Sequence, residues 1–195
     1  NKSMIEHVID KFIYFGSSLF FITINYKKEL LKAFFSISNK KIKVNLITEK
    51  IPLGTAGSLS LIKKNLKKTF FVINCDAIIS CNYSSLYEFH KKNRSILTLV
   101  VSKKNNTIPY GLCKINSQGN LISIKEKPSI DFLANTGLYV MEPSVLKYIK
   151  QNTAFDMNQL IETLIKKRKK IGVFPINEDE WSDLGNWQSL KKYTN

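Results

Sequence analysis

Two aspartates are the side chains of this sequence best placed to bind a metal ion. Asp76 ends an apolar run that begins at Phe70, and Asp183 follows a second apolar stretch late in the chain. Two carboxylates that converge from separate elements can bind Mg²⁺, which keeps several of its waters and bridges phosphate oxygens. Each aspartate taken alone also fits a turn or a helix cap. The predicted metal site therefore depends on the two coming together.

A loop of small residues, Leu53-Gly54-Thr55-Ala56-Gly57, precedes the first of these apolar runs. Three of its members carry little or no side chain, so a ligand can approach the backbone closely. The helix predicted to follow, with Leu59, Ile62 and Leu66 on one face, would offer unpaired N–H groups to an anion or a polar base edge. A plain helix-entry turn explains the same residues, and both interpretations stay open.

Three further polar stretches lie at the ends of predicted strands. Glu126 can accept hydrogen bonds from sugar hydroxyls, and Lys127 beside it places a compact charge near a phosphate. Tyr110-Gly111 and Asn135-Thr136-Gly137 offer polar groups beside a glycine. An exposed strand end or a simple turn accounts for each stretch taken singly.

The apolar patterns predict the elements that must hold these residues in place. Helices and strands alternate up to Val101, which favours a largely parallel sheet with helices on both faces. Residues 111–115 and 121–124 then predict an antiparallel hairpin. Later predictions are a strand at 135–141, a helix opened by a capping box of Asp156 and Gln159, a strand at 171–175 and a short closing helix.

Length and charge bound the possible functions. The 195 residues suit one domain, and 30 Lys and Arg against 15 Asp and Glu give a net charge of +15. That charge suits phosphorylated small molecules, nucleic acid or an acidic membrane surface. Because the lysines are scattered in pairs, with one basic run at 166–170, neither nucleic acid nor membrane is expected as a partner. Three cysteines without metal spacing and two histidines favour a cytoplasmic protein without a zinc site or a serine-histidine mechanism.

The order of these stretches along the chain resembles the sugar-1-phosphate nucleotidyltransferases, and most of all the mannose-1-phosphate guanylyltransferase-like branch. The residues that carry the resemblance are Glu49 with Leu53-Gly54-Thr55-Ala56-Gly57, Asn74-Cys75-Asp76, Tyr110-Gly111, Glu126-Lys127-Pro128, Asn135-Thr136-Gly137-Leu138-Tyr139 and Trp181-Ser182-Asp183-Leu184-Gly185. The resemblance implies an α/β fold, a Rossmann-like three-layer α/β/α arrangement with a mixed, mainly parallel sheet. It also implies transfer of NMP from an NTP, with GTP favoured, to a sugar 1-phosphate, giving an NDP-sugar and pyrophosphate.

The resemblance also implies a role for each motif. Leu53, Gly54, Thr55, Ala56 and Gly57 would bind the nucleotide, and Asp76 and Asp183 would hold Mg²⁺. Tyr110, Gly111, Glu126, Asn135 and Thr136 would contact the sugar, and Lys127 its phosphate. Asp76, Lys127 and Asp183 would be the catalytic residues.

Two departures from the family pattern affect these expectations. Cys75 stands where the family often has glycine, which is expected to narrow access beside the metal. The glycine-rich signature is expected upstream of Asn1, because residues 1–6 resemble the segment that follows it. The chain alone is therefore expected to bind sugar phosphate but to be a poor catalyst.

The alternatives are a non-catalytic module that senses a sugar nucleotide, and a basic nucleic-acid-binding protein. The number of copies that assemble is left open.

Overall fold

The computed structural model describes residues 2–37 and 43–183. Its helices are α1 (Met4–Tyr14), α2 (Lys28–Ile37), α3 (Gly54–Gly57), α4 (Tyr83–Asn93) and α5 (Met157–Lys166), with 3-10 helices at Ser58–Ile62, Pro143–Tyr148 and Glu178–Glu180. Its strands are β1 (Leu19–Ile24), β2 (Lys43–Thr48), β3 (Phe70–Ile73), β4 (Ala77–Ile79), β5 (Leu97–Thr107), β6 (Leu112–Ile115), β7 (Leu121–Lys125), β8 (Ser129–Met141), β9 (Ile171–Ile176) and β10 (Trp181–Asp183).

A four-stranded mixed sheet in the order β3-β8-β5-β9 forms the centre of the fold. β8 runs antiparallel to both of its neighbours, whereas β5 and β9 are parallel. β1 and β2 form a parallel pair, while β4 with β10 and β6 with β7 form antiparallel pairs. The predicted mixed α/β sheet is confirmed. The expectation of mainly parallel pairing is not met among the described strands, where four of the six pairings are antiparallel, because β8 runs between β3 and β5 in the opposite direction.

Helices cover both faces of the central sheet. Successive residues of β8 point to opposite faces, so Tyr139 and Met141 pack with Leu160 of α5, and Leu138 and Val140 pack on the other side. The second core also contains Phe12 of α1, whose ring lies 5.5 Å from that of Phe71. The arrangement is the three-layer one that the sequence predicts.

Several predicted boundaries hold at the level of individual hydrogen bonds. Gly16 has a φ of +87° and ends α1, with its N–H donated to the carbonyl of Ile13 at 2.9 Å. The Asn82 side chain accepts the N–H of Ser85 at 3.0 Å, as a helix cap does. The Asp156 N–H donates to Gln159 at 2.8 Å, which is half of the predicted capping box.

Three elements differ from the prediction. The helix after the small-residue loop ends at Ile62, so Leu66 lies beyond it. β5 and β8 are longer than predicted because they pair with each other from Val101 opposite Asn135 to Thr107 opposite Ser129. The predicted closing helix lies outside the described residues.

None of the described helices is both long and apolar enough to span a bilayer.

Candidate functional site

A cleft of about 380 Å³ opens at the edge of the central sheet where β3 ends. It is bounded by side chains from four regions of the chain: the small-residue loop, the turn after β3, the middle of β8 and the start of α5, with β10 closing one side. The lining residues are Thr55, Asn74, Asp76, Ala77, Asn135, Thr136, Gly137, Tyr139, Asp156, Met157, Asn158, Trp181 and Asp183.

Asp76 and Asp183 both line this cleft, as the sequence predicts for a pair that converges. β10 runs antiparallel to β4 with Asp183 directly opposite Ala77, the residue that follows Asp76. The pairing of these two short strands therefore brings Asp183 to the cleft that Asp76 lines. Cys75 is exposed and is not among the lining residues, so it does not produce the expected narrowing within the described cleft. Although part of the residue is exposed, partial burial of the thiol raises its pKa, and the neighbouring Asp76 raises that pKa further.

The long strand β8 has a bulge at Thr136, Gly137 and Leu138, directly after Asn135. On β5, Val101 pairs with Asn135 but Leu99 pairs with Tyr139, so the β8 residues between them are looped out. Gly137 has a φ of +81°, a conformation that favours glycine. A Cβ atom there would lie 2.8 Å from Nδ2 of Asn74. The sequence predicts the stretch 135–137 as the start of a strand, and the structure places it at this bulge, where Asn135, Thr136 and Gly137 line the cleft.

The polar side chains of Asn135, directly before the bulge, and Thr136, within it, are held by hydrogen bonds. Asn135 donates through Nδ2 to the Tyr139 hydroxyl at 2.8 Å and accepts the Gly137 N–H at 3.2 Å. Thr136 donates its hydroxyl to the carbonyl of Val100 at 2.9 Å. These groups are fixed before a ligand arrives, which lowers the entropy lost on binding.

The small-residue loop is a single helical turn, not an open loop. Phe155 N–H donates to the Leu53 carbonyl at 2.8 Å, and the Phe155 carbonyl accepts the N–H groups of Ala56 and Gly57 at 3.0 and 2.8 Å. These two N–H groups are therefore used within the protein. Leu53, Ala56 and Gly57 are buried, and Thr55 is the member of the loop that lines the cleft.

Packing against the chain before α5 explains the two glycines of this loop. A Cβ atom at Gly54 would lie 2.6 Å from a carboxylate oxygen of Asp156 and 3.0 Å from the Phe155 carbonyl oxygen. A Cβ atom at Gly57 would lie 2.6 Å from the carbonyl oxygen of Thr153. The 2.6 Å distances are shorter than any normal contact, so these glycines allow close chain packing here. Their predicted role in nucleotide binding stays a prediction.

Tyr110, Gly111, Glu126 and Lys127 are not among the cleft-lining residues. A Cβ atom at Gly111 would lie 3.0 Å from Oε2 of Glu126, so these two residues are neighbours at the base of the β6–β7 hairpin. Lys127 has a φ of +43°, a conformation that is unusual for a residue with a side chain. Asn135 lies six residues after Ser129, the first residue of β8. Six residues of extended strand span roughly 20 Å, so Asn135 is far from this cluster. The structure thus divides the predicted sugar-phosphate residues between two places.

The cleft is acidic although the chain as a whole is strongly basic. Asp76, Asp156 and Asp183 line it, and none of the described lining residues is Lys, Arg or His. Within the described residues, no group of three or more His, Cys, Asp or Glu side chains forms a full metal cage. Two carboxylates that line one cleft nonetheless suit Mg²⁺, which takes one or two protein carboxylates and completes its shell with water and phosphate oxygens.

Five polar or aromatic cleft residues are not predicted as site residues by the sequence: Asn74, Tyr139, Asp156, Asn158 and Trp181. The sequence identifies Asp156 only as a helix cap. Asn74, Tyr139 and Trp181 belong to the motifs that carry the family resemblance, but no binding or catalytic role is predicted for them. A signal for Asn74 is available, since it directly precedes Cys75 and Asp76 at the end of a strand. Asp156 and Asn158 reach the cleft only because α5 starts there, which no local pattern indicates.

The geometry can be compared with known proteins. A family model described as "Nucleotidyl transferase" matches residues 1–195. Mannose-1-phosphate guanyltransferase of Aspergillus oryzae is 33% identical over 197 residues, covering 95% of this chain and 53% of that protein. The enzyme of the same name from Hypocrea jecorina is 34% identical over 160 residues, covering 77% of this chain and 44% of that protein. The chain therefore spans about half the length of the curated relatives it matches.

Solved structures share the fold at lower sequence identity. HddC from Yersinia pseudotuberculosis, complexed with GMP-PN, matches with a TM-score of 0.69 and 20% identity, covering 97% of this chain and 81% of that chain. The inositol-1-phosphate CTP transferase from T. maritima matches with a TM-score of 0.70 and 16% identity, covering 98% of this chain and 80% of that chain. At these identities the likeness shows a common fold.

Proposed function

The chain belongs to the nucleotidyl transferase family, and from this premise we propose that it transfers NMP from an NTP to a sugar 1-phosphate, releasing pyrophosphate. The observation that carries the proposal is the meeting of Asp76 and Asp183 in one polar cleft that also contains Asn135 and Thr136. GTP is the favoured donor, because the relatives with about one third identity are named as guanyltransferases. A cytoplasmic location stays the expectation from the sequence.

The charge of the cleft requires a cation for this reaction. A phosphate group would meet three carboxylates and no cationic side chain among the described lining residues. Asp76 and Asp183 are the residues that would hold Mg²⁺, and when bound the ion supplies positive charge against the phosphate oxygens. Mg²⁺ dependence is thus a direct consequence of the proposal.

The neutral residues of the cleft would position the sugar. The amide of Asn135 is held by the Tyr139 hydroxyl and by the Gly137 N–H, and Asn135 lines the cleft. A fixed amide contributes to catalysis by orienting the attacking phosphate oxygen toward the donor phosphorus. The sequence predicts that Lys127 contacts the sugar phosphate, and the described arrangement places Lys127 outside the lining of this cleft.

The test is a pyrophosphate-release assay on the product of the whole open reading frame, run in parallel with the 195-residue chain. Each of the four common NTPs is combined with hexose and hexosamine 1-phosphates, with and without Mg²⁺. Release that needs one NTP, one sugar phosphate and Mg²⁺ supports the proposal. Asp76→Asn is the matched variant, because it removes the charge and keeps the shape, and it is expected to abolish release.

A non-catalytic module that senses a sugar nucleotide is the second candidate. It predicts no release by either protein, together with tight binding of a nucleotide sugar. Isothermal titration with the nucleotide sugars that correspond to the assay panel separates the two candidates. Tight binding without turnover would replace the enzymatic proposal.

A further inference from the structure

The lysine pairs that are scattered along the sequence come together in the fold. β3, β5 and β9 start at the edge of the central sheet where β8 ends, because Phe70 and Leu97 both pair with Met141, and Leu97 pairs with Ile171. The segments that lead into these three strands are rich in cations. We call this surface the basic edge, and it consists of Lys67, Lys68, Lys91, Lys92, Arg94, Lys166, Lys167, Arg168, Lys169 and Lys170.

Contacts among the three segments confirm that they are neighbours. The ammonium group of Lys91 lies 2.8 Å from the hydroxyl of Thr69, which joins the end of α4 to the start of β3. The Ile96 N–H donates to the Lys170 carbonyl at 2.9 Å, which joins the start of β5 to the start of β9. All ten cationic residues are exposed.

Few acids offset this charge. Glu142 accepts a hydrogen bond from Lys91 at 2.8 Å, Glu88 lies one turn back from Lys92 on α4, and Glu162 lies one turn back from Lys166 on α5, so three acids face ten cations. The opposite edge of the sheet carries the acids of the cleft. The molecule is therefore polarised, with one third of its 30 Lys and Arg side chains on the edge away from the cleft.

We propose that the basic edge docks on an anionic lipid bilayer, with the cleft facing the solution. Lysine point charges suit a diffuse array of lipid phosphates, whereas the planar fork of arginine suits specific phosphate recognition. The basic edge contains eight lysines and two arginines. This inference does not depend on the proposed enzymatic function.

An exposed isoleucine favours lipid over nucleic acid. Ile165 is 60% exposed and directly precedes the run at 166–170. An apolar side chain among cations matches the boundary between lipid headgroups and acyl chains, where both kinds of group are stabilised. Single-stranded nucleic acid would need free aromatic rings for base stacking. Tyr87, an exposed aromatic residue of α4, has its ring under the ammonium group of Lys91 at 5.8 Å.

The test measures co-sedimentation of the chain with vesicles. Phosphatidylcholine vesicles with about 30% phosphatidylserine are compared with pure phosphatidylcholine at about 50 and 300 mM NaCl. We expect binding to the anionic vesicles alone, and at least about tenfold weaker partitioning at the higher salt. Reversing three charges with Lys166→Glu, Lys167→Glu and Lys169→Glu is expected to lower partitioning about 100-fold, since each basic residue contributes several-fold.

A second triple variant controls for net charge. Lys103→Glu, Lys114→Glu and Lys125→Glu make the same charge change at exposed positions of β5, β6 and β7, away from the basic edge. This control is expected to lose less than about tenfold. Circular dichroism verifies that both variants fold. Equal losses in the two triples would show a response to net charge alone and would overturn the proposal.

Two further outcomes decide between lipid and nucleic acid. Ile165→Ser is expected to weaken vesicle binding several-fold and to leave binding to a duplex of about 20 base pairs unchanged. Absence of binding to anionic vesicles at low salt would overturn the proposal. Duplex binding that is tighter than vesicle binding at the same salt, and that the basic-edge triple abolishes, would identify nucleic acid as the partner instead.

Discussion

Replacing Gly54 by alanine should be among the most damaging single-methyl additions in this chain, and the reason can be divided into two parts. The first part is backbone strain, because Gly54 has a φ of +72°. An alanine in that region costs about 1–2 kcal/mol. The second part is steric, because the new Cβ atom would lie 2.6 Å from Asp156 Oδ1 and 3.0 Å from the Phe155 carbonyl oxygen. Overpacking of this kind costs about 1–3 kcal/mol.

Two other glycines separate these contributions. Gly16 has a φ of +87°, and an alanine methyl there would have no atom within 4 Å, so Gly16→Ala carries strain alone, about 1 kcal/mol. Gly57 has a helical φ of −62° but a methyl there would meet the Thr153 carbonyl oxygen at 2.6 Å. Gly57→Ala therefore carries the clash alone, about 1–2 kcal/mol after the better helix propensity of alanine is subtracted.

The sum for Gly54→Ala is about 3 kcal/mol, which lowers the midpoint of thermal unfolding by about 6–12 °C for a chain of this length. The assay is urea unfolding of the wild type and the three variants, followed by circular dichroism. A cost for Gly54→Ala that matches Gly16→Ala within about 0.5 kcal/mol would refute the close packing of the loop on the segment before α5. A cost for Gly57→Ala near zero would lead to the same conclusion by an independent route.

Three further predictions concern other parts of the molecule. Burial lowers the pKa of His90, so the unfolded chain binds a proton at a higher pH than the folded chain does, and the free energy of unfolding should fall as the pH drops below about 6.5. In urea unfolding at several pH values, His90→Gln should make this fall smaller. A free energy of unfolding of the wild type that does not change with pH in this range would contradict the prediction. Leu164→Ala should lower the free energy of unfolding by about 2–5 kcal/mol because Leu164 is fully buried, whereas Ile165→Ala should change it by less than about 0.5 kcal/mol. Equal shifts of the urea midpoint for the two variants would show that α5 is placed wrongly. Asp76→Asn and Asp183→Asn should each weaken Mg²⁺-dependent nucleotide binding by at least about tenfold in calorimetric titration; an equal loss without metal would exclude the metal role.

The extent to which the sequence predicts the site is clearest at the two aspartates. Local pattern alone predicts that Asp76 ends a strand, and Asp76 does follow β3 and line the cleft, whereas its role as a metal ligand stays a prediction that depends on Asp183. That Asp183 lies beside it depends on the pairing of β10 with β4, which joins segments about one hundred residues apart. Local periodicity carries no information on such a pairing. The same holds for Asp156, which the sequence identifies as a cap and the fold places in the cleft.

The sequence alone determined the elements whose signals are local. Gly16 ends α1 because a left-handed residue closes a helix, Asn82 caps α4 because its side chain reaches the next turn, and the turn at 116–120 joins β6 to β7. The tertiary structure decided what depends on distant chain segments meeting. The backbone of Phe155 forms hydrogen bonds with the small-residue loop, so this loop packs against the segment before α5. Because β5 and β9 start beside the end of β8, lysines that are distant in sequence lie on the same edge of the sheet. The physical reason is that a hydrogen bond to a neighbouring turn is encoded within a few residues, whereas the position of a side chain across a sheet depends on the order and direction of all its strands.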